Sequence, residues 1–264
     1  MILSAALLAG CLPEPREVPE APSTAALIER FTAGADGVLD ATSTTALVRG
    51  LLDDLVVIAA AVALVAEVDA TTTELDQADD PGSGSNALTA EGAALGESRH
   101  ALTSDAGAWA EVTHICPGVD GSLDRANGRL RLRTVLADFD EQIPAWGEAD
   151  GCRVSGSEGP ATIDADINSV LRRADSALYV EMTGDLRDAA APLPFALALR
   201  SLDGAITLHR IVEGSGSFLI GVDRLEDGRG AVSVRDALGE WLCTYSQDPL
   251  RGTCRRGAEV LQWP

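Results

Sequence analysis

The 264-residue chain has no lysine, because all 20 of its basic residues are arginines. Several enzyme classes depend on a lysine amine or on its point charge. These are Schiff-base enzymes, proteins with a Walker-A phosphate loop, protein kinases and Ser-Lys hydrolases. The absence of lysine excludes all four classes.

Aromatic residues are scarce at 4% of the chain, and the formal net charge is −21. With few aromatic rings, the core must consist mainly of Leu, Val, Ile and Ala side chains. A strongly acidic chain is repelled by phosphate backbones, so no nucleic-acid partner is expected.

Long apolar runs are also missing. The longest one covers residues 55–66, which are twelve apolar residues bounded by Asp53, Asp54 and Glu67. A helix needs about 20 apolar residues to cross a bilayer. The run therefore favours a buried helix over a membrane-inserted one.

The N-terminus has the character of a processing segment. Residues 1–10 (MILSAALLAG) are small and apolar, and the Pro/Glu-rich residues 11–23 follow them. Leu8-Ala9-Gly10-Cys11 resembles the lipobox of bacterial lipoproteins. The resemblance implies a signal peptide over 1–10, acylation (palmitate) at Cys11, and a membrane tether over 11–23.

The same resemblance predicts where the protein is found. It implies a body exported to an oxidising cell-envelope compartment such as the periplasm and held to a membrane by lipid on Cys11. Leu12, in place of an Asp, resembles lipoproteins that are sent to the outer membrane of Gram-negative bacteria. The expected location is therefore the cell envelope, and the expected anchor site is the outer membrane.

Four cysteines remain when Cys11 is set aside: Cys116, Cys152, Cys243 and Cys254. An even number in an oxidising compartment predicts two disulfides, for which three connectivities are possible. We predict Cys116–Cys152 and Cys243–Cys254, because the last two cysteines flank a turn-like sequence, TYSQDPLRGT. A metal site around the His114-Ile115-Cys116 stretch is the alternative, but no CxxC spacing supports it, and we predict no metal.

The chain divides into a helical part and a β part. Residues 24–31 and 46–70 are Ala/Leu-rich and predict helices within a helical segment 24–78, and a linker is predicted over 79–106. Residues 107–264 alternate polar and apolar, with turn residues between the runs. The predicted strands are 109–115, 129–138, 152–155, 161–168, 177–185, 195–201, 205–212, 217–224, 231–236, 240–246 and 253–256. The predicted fold class is α+β, with a mainly antiparallel β domain that is a meander, a sandwich or an open barrel.

Two details of the β region can be tested directly. Asp203-Gly204 lies between two strand-like runs and predicts a tight hairpin turn. Polar residues alternate in 129–133, at Arg129, Arg131 and Arg133, and in 164–168, at Asp164, Asp166 and Asn168. If these two strands are neighbours, an Arg/Asp ladder joins them.

No catalytic residue is predicted, and no cofactor. The chain has no GxSxG or GxGxxG motif. Asp164, Asp166, Asn168 and Asp175 imitate the spacing of a calcium loop, but Ser169 stands where the loop needs Gly. The set Asp120, Ser122 and Asp124 fails in the same way, with Arg125 at that place. His100, His114 and His209 lack metal-ligand spacing, and a strand-face role is the expectation for His209.

Three functions are consistent with these observations. The first is a non-enzymatic envelope lipoprotein that binds another envelope component or has a structural role. The second is a carrier or sensor of an apolar ligand such as a lipid, in which the helical segment lines a curved sheet. The third is a hydrolase with a dispersed Ser/His/Asp site, because such triads are defined by geometry and not by sequence order.

Overall fold

The computed structural model describes residues 23–78, 98–104, 107–116, 125–136, 141–155, 160–188, 191–226, 229–247 and 249–263. Three helices come first: α1 (Ala25–Thr32), α2 (Ala41–Asp53) and α3 (Leu55–Ala78). The strands are β1 (Ser98–Ser104), β2 (Gly107–Ile115), β3 (Arg129–Leu136), β4 (Gln142–Ser155), β5 (Pro160–Arg172), β6 (Ala177–Asp188), β7 (Ala191–Leu202), β8 (Ala205–Val212), β9 (Gly216–Glu226), β10 (Arg229–Asp236), β11 (Gly239–Gln247), β12 (Leu250–Arg256) and β13 (Glu259–Trp263). The α+β class with a mainly antiparallel β part is confirmed.

The β part is a single meander. All 13 described strands form one sheet in which each strand pairs only with its neighbours in the sequence, and every pairing between them is antiparallel. Short hairpins make this order possible. Asp203 and Gly204 join β7 to β8 with φ angles of 50° and 78°. Positive φ at both central residues is the type I′ geometry that suits hairpins, so the predicted turn is confirmed.

Two glycines let neighbouring strands approach closely near the middle of the sheet. A Cβ on Gly147 would lie 1.8 Å from the carbonyl oxygen of Arg131, and a Cβ on Gly184 would lie 1.9 Å from that of Asp164. Only glycine permits neighbouring strands to approach so closely, and glycine kinks of this kind introduce curvature into sheets. A register shift in β4 between Ala149 and Cys152 adds a bulge beside them.

The helices lie on both faces of this curved sheet. Helix α1 packs on the convex face through Leu27 and Phe31, which contact Tyr179, Ala198 and Leu219. Helices α2 and α3 share one core with the side chains of the opposite, concave face. The chain therefore crosses the rim of the sheet between α1 and α2.

Several sequence predictions need correction. The single helix predicted over 46–70 is two helices, α2 and α3, separated at Asp54. Strand β4 begins at Gln142, not at residue 152; its Pro144 lies beyond the last residue pair that joins β3 to β4, so the missing N–H costs no ladder bond there. Strand β13 was not predicted, and β1 lies inside the range predicted as a linker.

The direct Arg/Asp ladder between the two polar strands is not formed. Strands β3 and β5 are not neighbours, because β4 lies between them, and Arg131 is opposite Glu148, which is opposite Asp166. Arg131 pairs with Glu148 at 3.0 Å, and both side chains are exposed. An exposed pair of this kind contributes only a few tenths of a kcal/mol to about 1 kcal/mol.

Both predicted disulfides are present. Cys116–Cys152 joins the end of β2 to β4, and Cys243–Cys254 joins two directly opposed residues of β11 and β12. The second bond closes the hairpin that contains the turn-like sequence TYSQDPLRGT. In these two bonds the four thiols are not available as metal ligands.

Candidate functional site

The concave face of the sheet is an apolar trough. Its wall comes from alternate residues of successive strands, which share the same core with α2 and α3. Members that are almost completely buried include Leu130, Leu132, Ile163, Leu178, Val180, Met182, Leu199, Phe218, Ile220, Val234, Trp241 and Cys254. The wall is mainly aliphatic over β3–β7, where Phe195 of β7 is the aromatic residue that packs against it, in line with the scarcity of aromatic residues.

Helix α3 lies in this trough and contacts strands from β2 to β7. Its buried side consists mainly of small and branched apolar residues: Val57, Ile58, Ala60, Ala61, Leu64, Val65 and Val68. The buried Thr71 and Thr72 donate their hydroxyl protons to the carbonyl oxygens of Glu67 and Val68 within the same helix, both at 2.7 Å. Among the described residues, no hydrogen bond joins a side chain of α3 to the sheet. The contacts of the described part of α3 with the sheet are therefore mainly apolar.

The outward side of α3 carries no charge along its centre. Ala59, Ala63, Ala66 and Ala70 are exposed there at helical spacing, while Glu67 and Asp69 lie on the flanks. Burial raises the pKa of Asp69 above its ordinary value. A helix on the surface of a soluble protein usually has a polar outer face, so this helix is apolar on more sides than its packing requires.

The length of α3 exceeds what the uninterrupted apolar run indicated. Residues Leu55–Thr73 are long and apolar enough to cross a membrane by length and composition, and half of them are buried within the protein. The expectation of a buried helix therefore describes one side of α3. The other side is open in the described part of the chain.

The chain reaches this trough through a short segment that we call the rim strap, residues 34–40. Asp36 accepts hydrogen bonds from the backbone N–H and the hydroxyl of Ser217, both at 2.6 Å. Gly37 donates its N–H to the Ser217 carbonyl at 3.0 Å and accepts the N–H of Ala237 at 2.8 Å. The strap therefore spans the β8–β9 and β10–β11 turns, which lie at the same end of the strands.

Gly37 is required at this crossing. A Cβ on this residue would lie 2.6 Å from the Phe218 ring and 2.7 Å from the Ser215 carbonyl oxygen. The strap then ends at Asp40, which caps α2: its carboxylate accepts the Ser43 N–H at 2.7 Å, and its own N–H donates to the Ser43 hydroxyl at 2.8 Å. The helix start at residue 41 therefore has a capping-box signal in the sequence, which the prediction of a start at 46 missed.

Asp236 anchors the inner end of the strap. Its buried carboxylate accepts the N–H of Leu39 at 3.0 Å, the N–H of Leu238 at 2.8 Å and the indole N–H of Trp241 at 2.9 Å. Arg256 completes the group with a 3.0 Å ion pair and lies over the Trp241 ring at 4.3 Å.

Burial alone raises the pKa of the Asp236 carboxyl. The three N–H donors and the charge of Arg256 act in the opposite direction and outweigh burial, so the pKa lies below its ordinary value. Asp236 therefore stays ionised while it binds the strap. No motif marks this residue in the sequence, because the Leu39 end of the contact is far away in the chain.

The convex face holds His209 beneath α1. The rings of Phe31 and His209 are 6.0 Å apart. Burial and the nearby Arg30 lower the pKa of His209, and Asp36 opposes them in part. The strand-face placement expected for His209 agrees with this contact.

In the described part of the chain, Ser217, Asp36 and His209 do not form the relay of a Ser/His/Asp hydrolase. Ser217 donates its hydroxyl proton to the Asp36 carboxylate and not to an imidazole, whereas a nucleophilic serine needs a base as its partner. His114 pairs in register with Leu130 of the concave wall, so it lies on the other face of the sheet from His209. The side chain of His100 lies outside the described residues.

The described residues that imitate the spacing of a calcium loop lie on a strand and in the turn after it. Asp164 and Asp166 lie on β5, where Asp164 accepts the Gly151 N–H at 2.7 Å and pairs with Arg187 at 3.0 Å. Asp175 lies in the following turn and binds Arg172. Within the described ranges, no group of three or more His, Cys, Asp and Glu side chains is arranged to hold a metal ion. Asp120, Ser122, Asp124 and Cys11 lie outside the described residues.

Comparisons with known proteins identify no relative. No protein-family model, no curated protein and no solved structure matches this chain.

Proposed function

We propose that this protein is a membrane-anchored envelope lipoprotein with a non-enzymatic binding role, tethered through lipid on Cys11, and that its ligand is apolar. The lipobox-like Leu8-Ala9-Gly10-Cys11 sequence supports the anchor. The seat of α3 supports the ligand class, since it is a curved apolar wall filled by a helix that makes no side-chain hydrogen bond to the sheet among the described residues.

In this proposal, an apolar ligand takes the place that α3 fills in the trough. An apolar trough in water must be covered, because every exposed Å² of apolar surface costs roughly 25 cal/mol. A helix held mainly by non-directional contacts can be exchanged for another apolar body of similar width at little cost in lost hydrogen bonds. An acyl chain has the required character, and of the functions considered from the sequence the carrier or sensor of a lipid fits best.

The experiment is native mass spectrometry of the full-length protein extracted from its own envelope. We expect the lipidated chain plus an additional non-covalent mass, identified as lipid by fragmentation. The same sample under denaturing conditions is the control, because lipid on Cys11 stays attached and a carried ligand is lost. Only the covalently lipidated chain in both spectra would count against a carrier, and an unmodified Cys11 thiol would count against the anchor.

A further inference from the structure

We infer that helices α2 and α3 form a plug that fills the ligand's place and that the rim strap is the latch that holds the plug in the trough. This inference rests on the proposed function for the identity of the ligand. The latch itself rests on the bonds of Asp36, Gly37 and Leu39, which are independent of any ligand.

Directional contacts are unevenly distributed over the described part of the helical pair. The described part of α3 has no side-chain hydrogen bond to the sheet. Among the described residues, the helical pair has polar ties to the sheet at two places. Arg210 pairs with Asp54 at 2.7 Å at the junction of α2 and α3, and the rim strap holds the start of α2. Apolar contacts decide how tightly the plug packs, and these ties decide where it sits.

The rim strap joins two helices that lie on opposite faces of the sheet. Helix α1 is fixed on the convex face by the buried Leu27 and Phe31, and α2 lies in the trough on the other face. Residues 34–40 are the only covalent link between them. If the plug leaves the trough, the strap is where the backbone must turn, and the bonds of Asp36 to Ser217 and of Leu39 to Asp236 must break for the turn to occur.

The two ends of the latch differ in how deeply they are buried. Asp36 is on the outside of the rim, and its hydrogen bonds from Ser217 hold its pKa below the ordinary value. Asp236 is fully buried and also stabilises Trp241 and Arg256. The outer bond can therefore be removed without exposing the core, while the inner one cannot. Asp36 is the residue at which the latch can be tested.

The expected effect on ligand binding follows from a change in the fraction of molecules in which the plug is open. A ligand that binds only the open state has an apparent affinity reduced by the fraction of open molecules, so a weaker latch tightens binding. With N-phenyl-1-naphthylamine, an uncharged fluorescent apolar probe, we expect D36A to lower the apparent Kd about three- to tenfold relative to the native chain. The matched control is E213A, which removes an exposed acid from the β8–β9 turn but none of the latch bonds.

A locked form provides the opposite change. Because the side chains of Asp36 and Ser217 are in contact, the double variant D36C/S217C can form a disulfide across the latch. Oxidised D36C/S217C is expected to lose probe binding and to regain it on mild reduction. Native protein treated with the same reductant is the control, since it contains two disulfides of its own.

Hydrogen exchange separates the latch from the ligand. In D36A without probe, we expect amides of α2 and α3 to exchange faster, while those of β5 and β6 keep the native rate. Unchanged exchange in α2 and α3 would overturn the latch, even if the probe binds. Faster exchange with no probe binding by any variant would retain the latch and overturn the proposed ligand class. Equal binding by the native, D36A and locked forms would overturn the plug.

Discussion

The carboxylate of Asp236 accepts a 3.0 Å hydrogen bond from the backbone N–H of Leu39, 197 residues earlier in the chain. This contact joins the start of the helical plug to the β10–β11 turn. Trp241, Leu238 and Arg256 converge on the same carboxylate, so a single buried charge organises residues from the strap, the turn and two strands.

Removing this carboxylate is expected to be severely destabilising. D236A leaves the N–H groups of Leu39 and Trp241 without their acceptor and Arg256 without its buried partner, and losing one member of a buried ion pair typically costs about 3–5 kcal/mol. The free energy of unfolding from urea titration measures it. E240Q, an exposed change in the next strand, is the control, and a loss under about 1 kcal/mol in D236A would contradict the role of Asp236.

The lowered pKa of Asp236 makes its contribution depend on acid. A carboxyl whose folded pKa is depressed contributes stability above its unfolded pKa, near 3.9, and that stability is lost as the pH falls through the folded pKa. The native protein should therefore lose stability below about pH 4 more steeply than D236N. Parallel acid profiles of the two proteins would refute this expectation.

Asp69 should behave in the opposite way. Burial raises its pKa, so its neutral form stabilises the fold at low pH, and that contribution is lost as the pH rises through the folded pKa. D69N is expected to stabilise the protein at pH 7 by a few tenths of a kcal/mol to about 1 kcal/mol and to have no effect near pH 3. Thermal unfolding at both pH values measures it, with D203N in an exposed turn as the control.

Truncation of Phe31 tests the convex face. This ring is buried against Tyr179 and His209, with ring centroids 5.7 and 6.0 Å away. F31A should cost about 3 kcal/mol or more and should raise the pKa of His209 toward its ordinary value, because water reaches the imidazole. NMR titration of His209 measures the second effect. E29A, on the exposed side of the same helix, should change neither quantity.

The two disulfides should differ in their contributions. In the chain-entropy model, the bond that closes the longer loop, Cys116–Cys152 with a separation of 36, restricts the unfolded chain more than Cys243–Cys254 with a separation of 11. The double variants C116A/C152A and C243A/C254A are expected to lose about 4 and about 3 kcal/mol, respectively. Urea unfolding measures both losses. Free thiols at any of the four positions, in peptide maps of the non-reduced protein, would contradict the pairing itself.

Much of the architecture could be predicted because its signals are local. The Asp203-Gly204 turn, the alternating strands and the cysteine pair flanking a hairpin each depend on residues within a few positions of one another. Where prediction failed, local signals were interrupted or overlooked. Pro144 and Gly147 broke the alternation of β4, and the capping box of Asp40 and Ser43 was missed ahead of α2.

Much less of the candidate site could be predicted from the sequence. An apolar run predicts that α3 is buried, but not that one side of it is exposed within the part of the chain that the structure describes. Nothing near Asp236 indicates that it binds Leu39, because hydrogen-bond partners separated by 197 residues leave no periodic pattern. Asp36 and Ser217 are also distant partners, 181 residues apart, which the sequence presents as ordinary loop residues.

The sequence by itself determined the α+β class, the hairpin turn at Asp203-Gly204 and the pairing of Cys243 with Cys254 across a hairpin, because backbone preferences and short loops act over a few residues. Only the tertiary structure decided that α1 lies on the convex face and α2–α3 on the concave face, and that the strap joins them across the rim. Those outcomes depend on sheet curvature, which comes from the close strand approach at Gly147 and Gly184, and on burial around Asp236. Neither property exists until distant strands have paired.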